Sequence, residues 1–136
     1  MSICREAEDV FMRICVLDEV PVVEDLLCVT LELRHHQPTT YQTPFACLEA
    51  LRLSKQCCCK KKFELLIIGD HPKTSFSWRH VVEQVRTIVP DLPILLISNN
   101  GYYQTLIIEG QLQHLKVLDE PFRLKDFYTL IDGFDV

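Results

Sequence analysis

The chain has 136 residues, 48% of them hydrophobic, and a formal net charge of −5, enough sequence for one domain with one core. The acidic balance argues against non-specific binding to nucleic acid, and apolar runs of at most about six residues exclude a membrane-spanning helix, which needs about 20. The first ten residues, MSICREAEDV, lack the basic start and apolar stretch of an export signal.

In chain order, the apolar run at 12–17 predicts a first strand that ends in Asp18-Glu19. Pro21 suits the first turn of a helix, with Val23, Leu26, Leu27, Thr30 and Leu31 on one face and His35-His36 as its polar end. Residues 39–43 are polar and flanked by proline, which suits an edge strand. Phe45, Leu48 and Leu51 form a shorter helical stripe. Cys57-Cys58-Cys59 and Lys60-Lys61-Lys62 read as an exposed loop. Adjacent residues do not turn three thiolates to one metal, and lysine-activated thiols with a redox role are the alternative. The run at 65–68 predicts a strand ending in Gly69-Asp70. Trp78, Val81, Val82, Val85 and Ile88 follow helical spacing, with Ser75 or Ser77 as the cap. A fourth strand at 94–97 ends in Ser98, a helix carries Tyr103, Leu106 and Ile107, and a fifth strand at 116–118 ends in Asp119-Glu120. Phe127, Leu130, Ile131 and Phe134 form the closing helix. Seven cysteines, scattered and odd in number, do not make a disulfide framework and fit a reducing cytoplasm.

Short Ile, Val and Leu runs read as strands buried on both faces. Their alternation with helices predicts βαβ units in a single α/β domain spanning 1–136. The expected fold is a doubly wound, five-stranded parallel sheet in the order 2-1-3-4-5 with helices on both faces, because right-handed crossovers leave few other choices. Ligands of such sheets bind beyond the carboxyl ends of the strands. Asp18, Glu19, Asp70, Ser98, Asp119 and Glu120 all fall there, and several carboxylates at one edge favour a hard cation such as Mg²⁺. His71 reads as a solvated loop histidine, with metal ligation as the alternative. The four glycines are not clustered into a phosphate-cradling loop, and no serine or cysteine carries a nucleophile signature. An enzyme is therefore not expected.

Five segments, in order and over essentially the whole chain, resemble a response-regulator receiver domain of two-component signalling, whose fold is flavodoxin-like (CheY-like). They are ICVLDEVPVVEDLLCVTLE (14–32), CLEALRL (47–53), FELLIIGDHP (63–72), PDLPILLIS (90–98) and LDEPFRLKDFYTLID (118–132). The resemblance implies Mg²⁺ as the only cofactor, held by Asp18, Glu19 and Asp70, and a phosphoryl contact from Ser98. Counted from the apolar run, the phosphoacceptor position is Gly69. Asp70, the candidate acceptor, comes one step later, and the loop to Pro72 is one residue short. Successive strand side chains face opposite ways, so Asp70 serves only if the strand ends early or bulges. Val117 stands where the family has an aromatic.

Glu120 stands where the family has its lysine. Two like charges about 4 Å apart cost on the order of 4 kcal/mol at an effective dielectric of about 20, unless a divalent ion or a raised carboxyl pKa offsets them. The resemblance therefore implies an atypical receiver, a pseudo-receiver, that signals through protein–protein interaction without aspartyl phosphorylation. The alternative is a phosphorylatable, Mg²⁺-dependent receiver using Asp70 in a phosphorelay; an unrelated flavodoxin-like domain is a third reading. The implied partner is a signalling protein such as a histidine kinase or downstream regulator, or a second copy, and neither nucleic acid nor a membrane. The expected interaction face gathers Tyr102, Tyr103, Leu112, Val117, Arg123 and Tyr128, because exposed aromatics with an arginine suit interface anchors.

Overall fold

A computed structural model describes residues 12–56, 62–71, 74–98 and 114–134. The described elements are β1 (Arg13–Leu17), α1 (Pro21–Glu32), β2 (Gln37–Tyr41), α2 (Pro44–Gln56), β3 (Leu65–Asp70), α3 (Trp78–Ile88), β4 (Ile94–Ser98), β5 (Leu115–Asp119) and α4 (Leu124–Phe134). The strands form one sheet in the order β2-β1-β3-β4-β5, and every pairing is parallel. This is the expected topology. The segments around Cys57, Cys58 and Cys59 and around Tyr102, Tyr103 and Leu112 lie outside the described residues.

The strand pleat divides the core into two layers. Ile14 and Val16 of β1 join Leu65, Ile67, Leu95, Ile97 and Leu118 under α1 and α4, which contribute Leu27, Leu31, Phe127 and Ile131. On the other face Cys15, Leu17, Leu66, Ile68 and Leu96 lie under α2 and α3. There Trp78, Val81, Val82, Val85 and Ile88 are all buried, as their spacing predicts. The Ser77 hydroxyl caps α3 by accepting from the His80 N–H at 3.4 Å. The Cys15 and Cys47 thiols are free and meet at 3.6 Å in this layer. The hydrogen bond to Cys47, with burial behind it, raises the Cys15 thiol pKa well above the ordinary value.

Several expectations are corrected. The edge strand begins two residues earlier than expected, at Gln37. Leu26 does not share the buried face of α1, and Phe45 does not share that of α2; both point outward, while Leu27 and Cys47 point in. His36 is buried rather than part of a polar helix end, and its Nδ1 accepts from the Met12 N–H at 3.0 Å. Val117 is buried in the core and offers no interaction surface. Tyr128 is turned to α1, where its hydroxyl donates to the Thr30 carbonyl at 2.8 Å and the Arg34 guanidinium lies 4.3 Å from its ring centre. Among the described residues, no helix is long and apolar enough to cross a membrane.

Candidate functional site

The carboxyl ends of β1, β3 and β5 meet at one edge, as parallel pairing requires. Asp18 follows β1 and is fully buried. Its Oδ1 accepts from the Val20 N–H at 2.8 Å, a local turn in which aspartate braces its own backbone and leads the chain into α1. Its Oδ2 lies 2.8 Å from Nε2 of His71, the residue that follows β3. The other ring nitrogen of His71, Nδ1, lies 3.4 Å from Oε1 of Glu120. Glu120 is fixed by its own N–H, which donates to the Ser98 carbonyl at 2.8 Å. The His71 backbone is braced by Thr74, whose hydroxyl accepts from the His71 N–H at 2.9 Å and whose N–H donates back to the His71 carbonyl at 2.9 Å.

One imidazole therefore bridges two carboxylates, and its side chain is only 12% exposed. Burial alone pushes its pKa down. The hydrogen bond and charge of Asp18, together with the charge and weaker bond of Glu120, outweigh burial, so the net shift is upward from 6.5. When the ring is protonated, both of its N–H groups donate to carboxylates.

Gly69 makes this arrangement possible. A Cβ at position 69 would fall 2.7 Å from Cγ of Asp18 and 2.9 Å from Nε2 of His71. The position that the receiver resemblance marks for a phosphoacceptor thus lies against Asp18 with no room for a side chain. Asp70 remains within β3, so its side chain leaves the strand on the opposite face. It is paired in register with Ser98, whose hydroxyl donates to Oδ2 of Asp70 at 3.4 Å. The strand neither stops early nor bulges, so the condition that the candidate acceptor needs is not met.

Glu19 is held elsewhere. It accepts from the Ser75 N–H at 2.9 Å and from the Ser75 hydroxyl. These bonds, the hydroxyl first, lower its pKa from the ordinary value. The expected Mg²⁺ set of Asp18, Glu19 and Asp70 is therefore not assembled. Both oxygens of Asp18 and both of Glu19 are engaged, Asp70 faces away, and among the described residues no three His, Cys, Asp or Glu side chains are placed to hold an ion. The residues present do not fit the divalent ion that the resemblance implies.

The expectation of a solvated His71 is corrected in the same way. Sequence reasoning marked the two anomalies, a glycine at the acceptor position and a glutamate at the lysine position. It missed that a histidine two residues after the glycine ties them together. The sequence holds one hint, a basic side chain beside a pocket that loses its cation, but not the contact itself.

No protein-family model matches this sequence, and no curated protein matches it. Solved structures do. The receiver domain of NtrX from Brucella abortus is 16% identical, with 89% of this chain and 96% of that one covered and a TM-score of 0.73. A longer NtrX chain is matched over 26% of its length. The chemotaxis protein CheY4 of Vibrio cholerae is 13% identical, with 91% and 98% covered and a TM-score of 0.72. A protein described as an adenylate cyclase from Rhodopirellula baltica is 18% identical, with 91% and 87% covered and a TM-score of 0.71. The fold is that of response-regulator receiver domains.

Proposed function

We propose that this chain is an atypical receiver that carries a signal by binding a partner protein and is not switched by aspartyl phosphorylation. The observation behind this reading is Gly69 packed against Asp18 and His71. The acceptor is missing where receivers of this fold hold it, and the space around it is filled. Glu120 adds a second carboxylate where the family carries a cation, and Nδ1 of His71 lies 3.4 Å from it. The four scattered glycines give no phosphate-holding loop, so the reading is non-enzymatic. A reducing cytoplasm suits the adjacent free thiols of Cys15 and Cys47.

Helix α1 carries the binding face. Val22, Leu26, Val29 and Leu33 are each more than half exposed. Their numbering follows the alternating four-and-three spacing of a helix–helix seam. Asp25 and Glu32 flank the stripe and are exposed. Two copies packed antiparallel through it would set acid against acid. The stripe therefore suits a helix of a signalling partner, such as a kinase or downstream regulator, with an apolar seam and basic flanks.

The test is treatment with acetyl phosphate and Mg²⁺ followed by intact-mass spectrometry. The expected mass is unchanged. A stable phosphoryl gain that disappears in Asp70→Asn would overturn the reading in favour of a phosphorylatable receiver using Asp70.

A further inference from the structure

We propose that His71 seals the acidic edge from within: its imidazole occupies the place beside Asp18 that a divalent cation would need, so the pocket takes none. The inference rests on reading this edge as the counterpart of a receiver's phosphoryl site. Mg²⁺ demands near-octahedral oxygen ligation and parts with its water reluctantly. Asp18 is the fully buried carboxylate here, and its two oxygens are taken by the Val20 N–H and by His71. An ion could reach it only by displacing the ring, which is held on its far side by Glu120 and at its backbone by Thr74. Glu19, the other carboxylate after β1, is held by Ser75. His71, Thr74 and Ser75 thus lie across the acidic edge and use up the groups a cation would bind. Position 69 is reciprocal to this seal, because any side chain there would meet Nε2 of His71 at 2.9 Å. The missing acceptor and the inserted ring are one rearrangement.

Mn²⁺, read by water-proton relaxation, is the probe. It is titrated into the wild-type chain, Asp18→Asn, His71→Ala, His71→Asn and the double variant His71→Ala with Asp18→Asn, each checked for folding by circular dichroism. The wild type is expected to show no saturable binding. The His71 variants are expected to bind saturably, at least about tenfold above the upper limit set by the wild type, a factor of ten being about 1.4 kcal/mol. The double variant is expected to lose that binding. His71→Asn, which removes the ring and its bridge to Glu120 but keeps a polar side chain, stands in if the alanine variant does not fold. Saturable Mn²⁺ binding by the wild type that is lost in Asp18→Asn overturns the proposal whatever the variants do. Folded His71 variants that bind no better than the wild type overturn it as well. A phosphoryl gain from acetyl phosphate in a chain that still excludes Mn²⁺ would remove the functional reading and leave the seal standing.

Discussion

Gly69 sits inside a buried strand, where a glycine ordinarily costs about 0.5–1 kcal/mol relative to alanine. Here the sign reverses. A Cβ would press on the Asp18 carboxyl carbon at 2.7 Å, and that carboxylate cannot swing aside without breaking its bonds to Val20 and His71. We expect Gly69→Ala to lower stability by about 1–3 kcal/mol, the usual cost of overpacking, as measured by urea unfolding. Gly69→Asp, which restores the family residue, should be worse because it adds a like charge beside Asp18. The sequence showed both oddities, at 69 and 120, because each is a departure at a countable position. It could not show the bridge between them. The placement of the His71 ring depends on three strand ends meeting through long-range register, which no local pattern carries.

Helix α3 was legible because its apolar residues occupy one narrow face and polar residues fill the rest, so only one rotation buries them. Helix α1 was not. Apolar residues occur nearly all round it, and Leu26 and Leu27 are neighbours in sequence. The sheet selects Leu27 and Leu31 and leaves Leu26 outside. The same ambiguity misplaced Phe45, because Cys47 takes the inward position of α2. This assignment can be checked by two changes one residue apart. Leu27→Ala should cost about 2–5 kcal/mol, as core leucines do, while Leu26→Ser should stay within about 0.5 kcal/mol of the wild type. If α1 is the binding face, a synthetic helix with a leucine seam and lysine flanks should bind the wild type and fail with Leu26→Ser. Equal binding by both chains, measured by anisotropy, would remove α1 from consideration.

At the scale of the molecule, the strand order and the two helix layers were readable because alternating strands and helices with right-handed crossovers allow little else. Stability as a function of pH is also a property of the whole. The pKa of His71 is raised in the folded chain, so its contribution is fully present below the unfolded value of about 6.5 and is lost as pH rises through the higher folded value. The pKa of Glu19 is lowered from 4.5, so its contribution is present above that value and is lost as pH falls through the folded one. The urea midpoint should therefore decline from neutral toward alkaline pH, and His71→Gln should flatten that decline. A His71→Gln profile parallel to the wild type would show that the bridge does not couple to folding.

The clasp between α1 and α4 bears on how the chain is made. The Tyr128 hydroxyl reaches back 98 residues to the Thr30 carbonyl, and Arg34 meets Asp132 at 3.0 Å. The sheet face under α1 stays unfinished until Phe127 and Ile131 arrive. At a synthesis rate of about 5–20 residues per second, a nascent chain carries that open greasy face for roughly 5–20 s after α1 has emerged from the ribosome, a window in which holding chaperones compete with its own last helix.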